Sequence, residues 1–403
     1  MKESTVMKHC YFRSFDVGAG DCNVIRLVDG DEQYAIMVDC GRMTTQVRDY
    51  VETVLHKHIN ILVATHIDGD HIVGLAKMLK DIPDLQIDHI WYNCYRRRDD
   101  AEKVDLNEQQ KQILEWVRNE LPVEFDAINY RREISAPQAK SLAKVILENE
   151  AFRNVWNTDY ITNETASFDL PGTFGRIVFL SPDKEALPKV EALMKDAFNK
   201  YFMQIWDENL SNQEEIHELL LRLVEAYKSR YEQRTIAADQ AVRDMAFVEK
   251  QARMEDVDDS LTNAASIAFM LECGEHRLLI LGDAHSDVVA RQLDQKYKDA
   301  GFPLVCDAVK VAHHGSNGNS GRDLTSKVAC NRYFIPGGKG DKYPAWGTFG
   351  RIALNNIGMD RKTIVFSHRC DMVQAMCGLD NGVKTALNIE TQISEQEYEL
   401  FEW

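Results

Sequence analysis

The sequence predicts an α/β protein built as a sandwich, with two strand-rich halves separated by helical insertions. Up to residue 93 short apolar runs alternate with turns, and the same pattern resumes after residue 260. Between them lie two charge-rich tracts whose apolar residues recur every three or four positions, which is helical spacing.

In the first half, Tyr11 to Val17, Asn23 to Val28, Tyr34 to Val38, Ile61 to Ala64 and His89 to Tyr92 read as strands, and Thr45 to Lys57 and Ile72 to Leu79 as helices. Residues 94–165 carry Leu106, Ile113, Leu114, Trp116, Val117, Leu142, Val145 and Ile146 among many charges, and are expected to form a helical insertion. Within 166–182 a strand runs from Arg176 to Leu180 and stops at Pro182. Residues 183–260 should form a helical hairpin. One arm carries Leu187, Val190, Leu193, Met194, Ala197, Phe198, Tyr201, Phe202, Ile205 and Trp206; the other, Gln213 to Asp256, has no glycine or proline to break it. Its apolar stripe either covers the domain's own sheet or meets a partner protein or a second copy. The second half, 261–403, is expected to place strands at Ser266 to Glu272, Arg277 to Leu281, Ala308 to Val311, Arg332 to Ile335, Thr363 to Ser367, Ala386 to Ile393 and Glu397 to Glu402.

The 403 residues suffice for one large domain with insertions or for two domains, and a 44% hydrophobic, 28% charged composition excludes a disordered or fibrous chain. Neither a signal-peptide core nor an apolar run near the ~20 residues needed to cross a bilayer is present, so the expected location is the cytoplasm. Nine scattered cysteines without a C-x-x-C fit reduced thiols and exclude a zinc ribbon. A formal charge of −17 opposes nucleic acid at long range, so such a substrate needs a local basic patch. Arg96 to Arg98 and the Arg131–Arg132 pair are the candidates, although such clusters are equally read as solvated surface charge.

The chemistry concentrates at strand ends. The segment I-L-V-A-T-H-I-D-G-D-H-I-V-G-L, residues 61 to 75, is a buried strand running into a loop with His66, Asp68, Asp70 and His71 within six residues. Divalent cations are what such ligand density most often serves. L-L-I-L-G-D-A-H sets Asp283 after a second apolar strand, and D-A-V-K-V-A-H-H-G-S sets His313 and His314 after a third. An aspartate after a glycine alone marks a turn, and a histidine pair alone is often merely exposed; the threefold repetition makes the pattern specific. His285 reads as a surface residue.

In these segments the chain resembles the metallo-β-lactamase-fold hydrolases of the type found as the soluble domain of the ComEC competence protein. Besides the three stretches above, F-D-V-G-A-G-D-C-N-V-I-R-L (15 to 27), V-D-C-G (38 to 41) and N-A-A-S-I-A-F-M-L (263 to 271) match, in the family's order and in both halves. The resemblance implies an αββα sandwich whose metal ligands are His66, Asp68, Asp70, His71, Asp283 and His313, with Asp283 bridging two divalent ions, zinc or manganese. It also implies that Asp39, and Asp21 in its G-A-G-D turn, support the site from outside. The histidine that classical members place before the bridging aspartate is replaced by the Asn263 to Ser266 segment, as is usual in the ComEC type, which leaves one ion short of a ligand. The C-terminal N-x-Y-G-H-P segment is replaced by G-D-K-Y-P-A-W-G-T-F-G, without its histidine; His368, in F-S-H-R-C-D, either substitutes for it or is structural.

The resemblance implies phosphodiester hydrolysis. Asp68, Asp70 and Asp283 bring three negative charges against the four of two divalent ions, and a bridging hydroxide brings the cluster near neutrality. His314 or Ser316 would bind a non-bridging oxygen or assist the leaving group, with Asp70 at the catalytic centre and His313 and His314 interchangeable. Three readings follow: a nuclease or phosphodiesterase; a hydrolase of a small phosphoester or other ester; and a subunit of a larger assembly, for example a defence system, docking through the helical hairpin.

Overall fold

The computed structural model describes residues 7–94, 108, 141–190, 192, 218, 243–338, 342–355 and 361–403. Two sheets stack face to face. The first comprises β1 (Lys8–Ser14), β2 (Asn23–Asp29), β3 (Glu32–Val38), β4 (His58–Ala64), β5 (Gln86–Tyr92) and the C-terminal β16 (Tyr398–Glu402), in the order β16-β1-β2-β3-β4-β5. The second runs β15-β14-β13-β11-β9-β8-β7-β6, with β6 (Phe168–Asp169), β7 (Arg176–Ser181), β8 (Ala268–Cys273), β9 (His276–Ile280), β11 (Ala308–Lys310), β13 (Arg332–Ile335), β14 (Lys362–Phe366) and β15 (Ile389–Ile393). A two-stranded piece, β10 (Leu304–Cys306) with β12 (Val328–Cys330), lies beside it.

Period-two burial shows why the layers form. On β2 to β4, Ile25, Leu27, Ile36, Val38, Ile61 and Val63 point into the space between the sheets, where they meet Phe269, Leu271, Leu278, Ile280, Phe334 and Val365 of the second sheet. The alternate residues Val24, Ala35, Met37, Leu62 and Ala64 face outward onto helices α1 (Thr45–Thr53) and α2 (Gly69–Asp81). On the second sheet Ala268, Met270, Leu279, Tyr333, Ile335, Ile364 and Phe366 face the helices Ser286–Lys296, Trp346–Leu354 and Asp371–Cys377. Three apolar seams thus separate four layers, and the fold is an αββα sandwich.

Strands β3, β4 and β5 run parallel, as do β9, β11, β13, β14 and β15. Parallel strands gather their C-terminal ends along one edge of each sheet, where α/β folds place their sites. A backbone bond from Ile267 N–H to Thr65 C=O (2.9 Å) joins the two edges.

Several element limits differ from expectation. The helix expected over Thr45 to Lys57 stops at Thr53, because His56 (φ 51°) and Lys57 (φ 59°) take left-handed conformations that turn the chain into β4. Helix α2 begins three residues before Ile72, so Asp70 and His71 lie in its first turn. The tract expected to stay helical to Asp256 ends earlier: its described part is helical over Met245–Ala252, followed by a non-helical segment up to residue 260. The strand expected over Ala386 to Ile393 begins at Ile389, after a helix Asn381–Ala386. Helices Leu142–Glu148 and Glu150–Val155 lie in the expected first insertion. The rest of that insertion, with Arg96 to Arg98 and Arg131–Arg132, and most of the expected hairpin, lie outside the described residues. Among the described residues no helix is long and apolar enough to cross a membrane, and all nine cysteines are free thiols.

The C-terminal segment is tied to the first half by Glu397, which accepts from Arg26 Nη2 (2.6 Å) and Nε (3.2 Å) and from the Tyr50 hydroxyl. Burial pushes its carboxyl up, but Arg26 and Tyr50 overcome this and hold it below the usual carboxylate range. A depressed folded-state pKa stabilises the fold above the unfolded value near 4.5 and loses that contribution as pH falls through the folded value. Arg26→Ala should therefore lower the urea midpoint at pH 7 by the equivalent of about 1 kcal/mol. The difference from wild type should shrink toward pH 3; an equal difference at both pH values would contradict the assignment.

Candidate metal centre

Five loops meet where the sheets join: the one after β1, carrying Asp21; the one after β3, carrying Asp39; the β4–α2 loop, carrying His66, Asp68, Asp70 and His71; and, from the other sheet, the loops after β9 and β11, carrying Asp283, His313 and His314. Asp39 (φ 60°) accepts from Thr65 N–H and Thr65 Oγ1, both at 2.8 Å. So anchored, its Oδ2 lies 2.8 Å from His71 Nδ1. An imidazole that donates from Nδ1 keeps the Nε2 lone pair for a metal.

The same device occurs a second time. Asp21, fully buried, pairs with the ammonium of the equally buried Lys310 and lies 3.0 Å from His314 Nδ1, which is also 3.2 Å from Pro336 C=O. Lys310 Nζ in turn donates to Gly282 C=O at 2.8 Å. A Cβ on Gly20 or Gly41 would sit 2.1 or 2.0 Å from the Asp70 carbonyl oxygen, so only glycine lets these two turns close over the start of α2.

Facing these supports, the His71, His313 and His66 Nε2 atoms lie 3.3, 3.8 and 3.9 Å from Asp283 Oδ2. His66 Nε2 is 3.4 Å from Asp68 Oδ2, and His314 Nε2 is 3.4 Å from Asp70 Oδ2. The buried Nε2 atoms of His66, His71 and His314, together with Asp68 Oδ1 and Asp283 Oδ1, make no well-directed hydrogen bond. Buried polar atoms are normally satisfied. Atoms that share one ion at metal–ligand distances of ~2.0–2.2 Å lie about 3.4 Å apart in a tetrahedral site, close to the spacing seen here. The donor set therefore fits divalent metal.

Electrostatics points the same way. Asp21, Asp39, Asp68, Asp70 and Asp283, with Asp258 beside His313, converge with Lys310 as the ammonium among the described residues, which leaves the site net negative when the imidazoles are neutral, as a cation site requires. Without metal, protons are drawn in. Burial disfavours the charged His71, but Asp283 and Asp39 outweigh it and hold this imidazole well above its ordinary value. Burial likewise opposes charge on His314, yet Asp21 and Asp70 raise it to about 9. Burial pushes Asp283 up, and His71 and His313 pull it well below the carboxylate range.

The structure thus brings together His66, Asp68, Asp70, His71, Asp283, His313 and His314. Ser316 follows on the histidine turn, buried, its N–H donating to His313 C=O (2.7 Å) and its own carbonyl accepting from Thr348 Oγ1 (2.7 Å). His368 Nδ1 lies 2.7 Å from Asp16 Oδ1. His285, expected at the surface, is instead half-buried, with Nε2 3.0 Å from Ser260 C=O. The sequence reading missed Asp258, Asn319, Lys310 and Thr65. Lys310 alone left a signal, as a cation inside an apolar strand.

Residues 16–121 match the family model of the metallo-beta-lactamase superfamily. Among solved structures, a diphosphatase from the PhnP family is similar at 10% identity over 97% of this chain and 98% of its own, with a TM-score of 0.37. The metallo-beta-lactamase fold protein YhfI from Bacillus subtilis is similar at 10% identity over 98% and 99%, TM-score 0.35. Zn(2+)-bound PqqB from Methylobacterium extorquens is similar at 12% identity over 97% and 100%, TM-score 0.37. The search of curated proteins found no match. The αββα sandwich carries the candidate site at its strand ends, and residues 16–121 of it are what matches the metallo-beta-lactamase superfamily model.

Replacing Asp39 by Asn removes the charge that holds His71 while keeping its shape. Zinc affinity in a chelator competition should fall about 10- to 100-fold with the far-UV circular dichroism unchanged. Wild-type affinity in a folded Asp39→Asn protein would contradict the role given to Asp39.

Proposed function

We propose that this protein is a metal-dependent hydrolase of phosphodiester bonds, with His66, Asp68, Asp70, His71, Asp283 and the His313–His314 pair holding two divalent ions. The observation that supports it is the convergence of unpaired Nε2 atoms on Asp283 amid excess buried negative charge. Two bound ions would act as Lewis acids on a phosphoryl centre and make hydroxide available from water at neutral pH. Mixed imidazole and carboxylate donors suit zinc and manganese alike. In this reading Asp70 belongs to the reacting centre, Asp39, Asp21 and Lys310 keep the histidines aimed, and the Ser316 hydroxyl would bind a non-bridging oxygen. The Tyr343 ring, 4.9 Å from that of His313, walls the site.

A manganese-supplemented assay with bis(p-nitrophenyl) phosphate should show turnover that a chelator abolishes and that Asp70→Asn reduces to background. No metal-dependent release of nitrophenolate from the wild type would sink the proposal.

A second reading concerns substrate size. Asp258 Oδ2 lies 3.7 Å from His313 Nδ1 and gives this side of the site a carboxylate, which favours a small phosphoester over a polynucleotide. Turnover of a nucleoside p-nitrophenyl phosphate should be insensitive to salt between 50 and 200 mM in this reading. Cleavage of single-stranded DNA that weakens steeply over that range would point to the nuclease instead.

A further inference from the structure

The adjacent histidines occupy an unusual backbone. His313 (φ 47°), His314 (φ 51°) and Gly315 (φ 80°) are consecutive left-handed residues, and conformations of this kind in non-glycine residues persist only where the surroundings impose them. The turn is held at both ends: His313 N–H donates to Gly282 C=O (3.1 Å), and Ala345 N–H to Gly315 C=O (2.9 Å). Successive side chains of such a turn diverge by about 100°, and the two rings have centroids 5.8 Å apart with planes at 67°. One strand end thus delivers one imidazole to Asp283, His313 Nε2 at 3.8 Å, and the other to Asp70, His314 Nε2 at 3.4 Å.

Their surroundings separate the two sides. His314 lies with Asp70 and Asp21. His313 lies toward Asp68, because the neighbouring residues Thr262 and Asn263 touch one each: Thr262 Oγ1 is 3.5 Å from Asp68 Oδ2, and Asn263 Nδ2 is 3.2 Å from His313 Nδ1. His313 Nδ1 also lies 2.9 Å from Asn319 Oδ1, an acceptor that keeps the proton on Nδ1 and frees Nε2, 3.8 Å from Asp283 Oδ2. Both amides are fixed by Asp258 Oδ2, at 2.7 Å from Asn263 Nδ2 and 2.6 Å from Asn319 Nδ2.

We propose that His313 and His314 ligate different ions: His313 completes the set His66, Asp68 and Asp283 on one side, and His314 the set Asp70, His71 and Asp283 on the other. Asp258 acts through Asn319 as the positioning residue for His313. The histidine absent from the Asn263 to Ser266 segment is then replaced from the turn opposite. The inference rests on the metal-dependent reading above.

The test uses full-length protein stripped by chelator and titrated with zinc in a calorimeter. Wild type should bind two ions. His313→Ala and His314→Ala should each keep one ion and bind the other at least 100-fold more weakly, while Asp258→Asn keeps both with one weakened about tenfold. On the unaltered protein, labelled with ¹⁵N-histidine and loaded with ¹¹³Cd, four Nε2 atoms should couple to cadmium: His66 and His313 to one nucleus, His71 and His314 to the other. The cadmium spectrum decides the matter even where a variant fails to fold. Two bound ions with only three coupled histidines, or a His313→Ala protein holding both ions at wild-type affinity, would overturn this assignment alone. A wild type that binds neither metal would overturn the hydrolase reading together with it.

Discussion

The structure turns on a concentration of negative charge that the described residues do not neutralise. Five aspartates meet at the junction of two sheets, and Lys310 is the ammonium set among them. Burying carboxylates without compensation costs several kcal/mol per charge, so the arrangement favours the uptake of positive charge. Without metal ions protons serve, as the raised His71 and His314 show.

The fold supplies this meeting point by topology. Each half ends its parallel strands on the same edge, and face-to-face stacking brings the edges together, so ligands from residues 66 and 313 become neighbours. Two carboxylate–imidazole pairs then fix ring orientation: Asp39, held by a backbone amide and a hydroxyl, and Asp21, held by an ammonium. The glycine turns at 20 and 41 let their loops lie directly on the Asp70 backbone. Rigidity at the site is thus built from backbone contacts that side-chain substitution elsewhere leaves intact.

Much of this was legible in the sequence because it obeys short periods. Strand runs such as Ile61 to Ala64 and the clustering of His66, Asp68, Asp70 and His71 are local signals, and a polar cluster after an apolar strand has few structural explanations. The start of α2 was missed because Gly69, Asp70 and His71 are polar and read as loop, although they form its first turn. Asp258 was invisible for a different reason. It belongs to an acidic run, Glu255 to Asp259, that resembles solvated surface, and only tertiary packing against Asn263 and Asn319 singles it out. The left-handed backbone at His313 and His314 is likewise a feature that no pattern of residue types encodes.

The central claim is that two cations occupy the space around Asp283. Anomalous diffraction from crystals grown with zinc, collected on both sides of the zinc absorption edge, tests it directly. The account predicts two peaks about 3.5–4 Å apart, one on each side of the Asp283 carboxylate. An anomalous map with no peak within bonding distance of Asp283 would contradict it.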